Sequence, residues 1–90
     1  MDQIKGKVVR VIDGDTFDVR VTHVKRTNQY NYNDFERIRI AKINASELGT
    51  AKGSIAKRKL LLKLNGRSVL CSIRSRDVFG RLIADFKTIS

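Results

Sequence analysis

Ninety residues carrying 19 Lys and Arg against nine Asp and Glu, for a net charge of +10, allow one modest domain and point to a polyanionic partner, with nucleic acid first. The apolar share of 41% is ordinary for a globular chain. No apolar run nears the roughly 20 residues of a membrane span, and Met1-Asp2-Gln3-Ile4-Lys5 does not read as a signal peptide, so the default expectation is a cytoplasmic protein. A single histidine, His23, excludes histidine-rich metal sites and argues against a Ser-His-Asp triad.

Residues 4–12, rich in β-branched side chains, read as a first strand. It leads into Asp13-Gly14-Asp15, a hairpin signal in which Gly14 is expected at the positive φ of a tight turn. Residues 15–22 form a second strand with Phe17, Val19 and Val21 on one face. From Thr22 to Asp34 the chain is polar and long for a hairpin connection. Its Lys25, Arg26, Tyr30 and Tyr32 suit a loop that stacks and clamps a single strand, although a solvated loop with locally packed tyrosines has the same composition. Residues 35–43 return to strand alternation, with Ile38 and Ile40 opposite Arg37, Arg39 and Ala41.

A turn-like break at Asn44-Ala45-Ser46-Glu47 precedes a helix over 50–64, where Ala56, Leu60, Leu61 and Leu64 form the packing face. Asn65-Gly66 ends it, with Gly66 suited to the left-handed position after a helix. Strand four spans 68–74, with Cys71 between Val69 and Ile73 as a small buried hydrophobe. A turn at 76–81 leads to strand five over 81–89, with Leu82, Ala84 and Phe86 on one face. Three strands, a helix, then two strands is the element order of the five-stranded OB-fold Greek-key barrel, a mainly β fold with its helix between strands three and four.

Asp13 and Asp15 lie close together in a chain of strong positive charge, and oxygen ligands for a hard cation would explain the pairing. Three separated motifs then fit one family. Ile12-Asp13-Gly14-Asp15-Thr16, Arg39-Ile40-Ala41-Lys42-Ile43-Asn44-Ala45-Ser46-Glu47 and Asp77-Val78-Phe79-Gly80-Arg81 occur in order with a helix in the right gap. Over residues 5–89 the sequence resembles the thermonuclease, or staphylococcal-nuclease-like, family.

The resemblance implies a Ca2+-dependent phosphodiesterase that acts on DNA and RNA, prefers unpaired strands, leaves 3′-phosphate ends and needs no small-molecule cofactor. By position it makes Asp15 a calcium ligand supported by Asp13, Glu47 the general base, and Arg39 and Arg81 the phosphate clamps. A planar guanidinium suits that last role, because two parallel donors match a phosphate whose negative charge grows under attack. Asn44 stands where the family carries a second ligand aspartate, which lowers the expected calcium affinity, and Ala45-Ser46 replace the usual Thr-Pro. The expected unit is one domain over 1–90 without the C-terminal helices of better-known members. A non-catalytic module that binds nucleic acid or protein is the alternative, and a basic module on ribosomal RNA a third.

Overall fold

The computed structural model describes residues 1–43 and 49–90. Five strands and one helix run in the expected order: β1 (Asp2–Asp13), β2 (Thr16–Val24), β3 (Phe35–Ile40), α1 (Ala51–Leu64), β4 (Ser68–Arg76) and β5 (Leu82–Thr88). The strands close into a barrel in the order β1-β2-β3-β5-β4, with every pairing antiparallel except β3 against β5. This is the OB-like barrel that the element order implies. Among the described residues no helix is long and apolar enough to cross a membrane.

Period-two alternation builds the core. Phe17 and Val19 of β2, Ile38 and Ile40 of β3, and Leu82 and Ala84 of β5 all point inward and are buried. Phe86 continues that face and meets Phe17 edge to face at a centroid distance of 5.3 Å. In β1 the alternation breaks: Ile4 and Val8 are buried, and so is Val11, three positions on. A bulge between Val8 and Arg10 absorbs the extra residue and leaves Val9 outside. Cys71 is fully buried as expected, and burial pushes its thiol up to about 12.

The helix starts where Thr50 Oγ1 accepts from Gly53 N at 3.0 Å. It ends with Asn65 N donating to Leu61 O and Gly66 at φ +71°. Gly53, Leu60 and Leu64 form its buried stripe, narrower than the face expected from sequence. Leu61 is 41% exposed and so does not pack on the sheet.

Two local expectations are corrected. Strand β3 stops at Ile40 rather than 43, because Lys42 takes φ +65° and turns the chain away after one last bond from Ala41 N to Ala84 O. Gly14 is not at positive φ. Its turn is closed instead by the Asp13 carboxylate, whose Oδ1 accepts from Asp15 N at 3.0 Å, so an ordinary backbone suffices.

Candidate functional site

The β1–β2 turn presents two carboxylates side by side. Asp15 is 9% exposed, and its Oδ1 accepts from Thr16 Oγ1 at 2.8 Å. Burial and the neighbouring Asp15 carboxylate hold the Asp13 carboxyl above its usual range. Two crowded, partly desolvated oxygen donors are the chemistry a hard divalent cation would relieve, so the pair fits Ca2+. Among the described residues no cluster of three His, Cys, Asp or Glu forms a fuller cage. The family's other expected contributors, Asn44 and Glu47, lie outside the described residues.

Arg39 reaches this turn from β3, because Thr16 and Arg39 are directly paired across β2–β3. Its Nη2 lies 3.5 Å from Asp15 Oδ2. Its Nη1 donates to Ile40 O at 2.5 Å and also to Ile43 O. The guanidinium thus ties the carboxylate turn to the backbone leaving β3.

Arg81 sits on the turn between β4 and β5, and that turn is built around Asp77. The Asp77 carboxylate accepts from Phe79 N at 3.0 Å, from Arg81 N at 2.8 Å and from Arg81 Nε at 2.7 Å. Burial acts to raise the Asp77 carboxyl, but these bonds outweigh it and hold the carboxyl below its ordinary value. Gly80 at φ +82° makes the reversal possible. The guanidinium also lies over the Phe79 ring, 5.3 Å from its centroid. Its two terminal nitrogens have no partner among the described residues and remain open to an anion.

The parallel β3–β5 pair sets Arg39 opposite Ile83, so Arg39 and Arg81 share the barrel's outer face, about two strand positions or ~7 Å apart along the strand. Beside Arg81 lies an open cleft of about 590 Å³ lined by Asp18, Phe35, Glu36, Arg37, Phe79 and Gly80. The β2–β3 face and the β4–β5 loop are where OB barrels receive oligonucleotides. Arg37 is held there by a bidentate pair with Asp18, at 2.8 and 3.1 Å.

Comparison with known proteins gives the relationship. Over 79 residues the chain is 34% identical to a micrococcal nuclease of Shigella flexneri, a match covering 88% of this chain and 40% of that protein. Over most of its length the chain is thus similar to a part of micrococcal nuclease. Protein ParB of Escherichia coli is 33% identical over 81 residues, covering 90% of this chain and 40% of that protein. The chain therefore spans about two fifths of the length of these curated relatives. No family model matches it.

In this barrel Asp13, Asp15 and Arg39 come together, with Arg81 on the same face. The loop residues sit elsewhere: Lys25, Tyr30 and Tyr32 line a separate cleft, and Arg26 is exposed outside it. Phe35 and Arg37 were not singled out from sequence. Their signal was the outward parity of Arg37 beside Arg39 on a strand with only one buried face.

Proposed function

We propose that this barrel carries the site of a Ca2+-dependent phosphodiesterase that hydrolyses DNA or RNA and prefers unpaired strands. The observation that carries the reading is the contact between Asp15 and Arg39, a nearly buried carboxylate and a guanidinium set side by side in a chain similar to a part of micrococcal nuclease. Asp15, backed by Asp13, would hold the ion, which when bound polarises the phosphate and acidifies water. Arg81 offers its two open nitrogens to the phosphate oxygens as their negative charge grows. Arg39 orients Asp15 and brings a second cation to the same face. Glu47 is the proposed acceptor of the proton that the attacking water loses as its oxygen bonds to phosphorus and the 5′-oxygen leaves.

The test is cleavage of a fluorescent single-stranded DNA with calcium and with chelator, beside Glu47→Ala. Calcium-dependent cutting abolished by the substitution is the expected result. Binding that weakens with salt, without any cutting, would instead make the chain a nucleic-acid-binding module.

A further inference from the structure

A second cleft, of about 780 Å³, opens at the mouth of the barrel where β1 and β5 begin and β4 ends. Its walls are the 25–32 loop, carrying Lys25, Tyr30 and Tyr32, and the end of β4, carrying Arg74 and Arg76. We propose that it is a second strand-binding site, in which one unpaired nucleotide of a bound nucleic acid stacks its base on Tyr30 and sets its phosphate against Lys25 and Arg74. This extends the nuclease reading along the strand, and rests on it only for the identity of the ligand.

The first support is a rigid loop that presents an exposed ring. Tyr30 is 71% exposed, yet its backbone is pinned. Asp2 accepts from Gln29 N at 2.9 Å, from Tyr30 N at 3.1 Å and from Tyr32 Oη at 2.6 Å. Asn28 clasps the other side, accepting from Gln3 N at 2.9 Å and donating to Gln3 O at 2.8 Å. An aromatic ring held in water on an ordered loop is a preformed platform, and base stacking on it costs little further ordering.

The second support is charge. The negative Asp2 carboxylate in this cleft is already engaged by its three donors. Arg74 spends Nε and Nη2 on a single oxygen of Asp85, at 2.9 and 2.7 Å, which leaves Nη1. Lys25 has no ion-pair partner among the described residues. The cleft therefore keeps cationic donors beside an aromatic face, the combination that holds single strands without reading sequence.

The third support is continuity. Arg76, in the wall of this cleft, pairs with Glu36, which lines the cleft beside Arg81. Arg76 also donates to Gly80 O, in the turn that carries Arg81, at 2.8 Å. The two clefts thus back onto one ion pair, and a strand held at Arg81 can continue into the second.

The experiment is fluorescence anisotropy of a labelled trinucleotide and of an oligothymidylate of about 12 nucleotides, in chelator so that nothing is cut. Tyr30→Ala should weaken binding of the longer strand by about 5- to 150-fold and leave the trinucleotide unchanged. Tyr30→Phe, which keeps the ring, should bind both as the wild type does, and Lys25→Ala should flatten the salt dependence for the longer strand only. Unchanged binding of the longer strand by Tyr30→Ala overturns the second site alone. A wild-type chain that binds neither oligonucleotide overturns it together with the nucleic-acid reading.

Discussion

Replacing Arg76 by Met tests the polar joint between the barrel and its two clefts. Glu36 is only 4% exposed and lies on the inward face of β3, in line with Ile38 and Ile40. Its carboxylate accepts from Arg76 Nη1 and Nη2, both at 3.0 Å, and from Asn33 N at 2.9 Å. Arg76→Met leaves Oε1 without a donor among the described residues. Breaking a fully buried pair costs about 3–5 kcal/mol, but the Arg76 side chain is 38% exposed, so water screens part of the loss. We expect about 2–3 kcal/mol, or a Tm lower by roughly 10–20 °C in a domain of this size, measured by urea and thermal unfolding followed by circular dichroism. The companion variant Glu36→Leu with Arg76→Met removes both charges, and should recover to within about 1.5 kcal/mol of the wild type. A single variant within about 0.5 kcal/mol of the wild type would show the pair to be an ordinary surface contact and refute the reasoning.

Three further outcomes are expected. The hydrogen bond from Tyr32, with those from Gln29 N and Tyr30 N, holds the Asp2 carboxyl below its usual value. Its stabilising effect is therefore complete above the unfolded value near ~4 and is lost as pH falls through the folded one; the urea midpoint of Asp2→Asn should fall less steeply than that of the wild type in that window, and equal slopes would remove Asp2 from the account. Arg81→Ala should lower turnover by about 100- to 1,000-fold while shifting substrate affinity little, as single-turnover kinetics would show; a loss confined to binding would recast Arg81 as a plain phosphate contact. Asn44→Asp should tighten calcium in a calorimetric titration, since added ligand charge raises affinity, and no change would place position 44 away from the ion.

Where residues alternate or cap, the fold was legible in the sequence. Phe17, Val19, Leu82 and Ala84 face inward because a strand has a period of two, and Gly66 ends the helix through its left-handed backbone. The cap at Thr50, a position that the residue pattern puts inside the helix, comes from the structure. Tertiary geometry overrode local pattern elsewhere. Leu61 looks like a core residue by composition, but the helix rests on the sheet through Gly53, Leu60 and Leu64, whose narrow stripe lets it sit close. Glu36 shares the inward parity of Ile38 and Ile40, which already called for a buried partner, but Arg76 lies forty residues away and only barrel closure brings the two together. The same distinction applies at the site. Spacing alone suggested the two turn carboxylates, whereas the approach of Arg39 to Asp15 follows from the Thr16–Arg39 register, which no local pattern encodes. The second cleft was visible only as a basic and aromatic loop, because the β4 residues that face it are remote in sequence.

The few acids of this basic chain explain how its loops are held in place. Three connections of the barrel are each organised by one aspartate that accepts from the loop's own or adjoining backbone: Asp13 closes the β1–β2 turn, Asp2 gathers the 25–34 loop, and Asp77 gathers the β4–β5 turn. In each case the carboxylate accepts from N–H donors at the base of the loop. Beside the second and third the cations or rings are turned outward, Lys25 and Tyr30 at the one and Phe79 and Arg81 at the other, whereas Arg39 beside the first is folded back onto Asp15 and the backbone leaving β3. A chain with a net charge of +10 has positive side chains in excess, so what it must specify is where they are held still. Fixing each loop through a carboxylate does this, because a charged acceptor binds amides more strongly than a neutral one and cannot itself be mistaken for part of the cationic face. Arg76 joins the second and third of these loops, through Glu36 to Asn33 N and directly to Gly80 O, whereas the first lies outside that network. Asp13→Asn should therefore add to either of the other two Asp→Asn changes in urea unfolding, while Asp2→Asn and Asp77→Asn combined should depart from additivity.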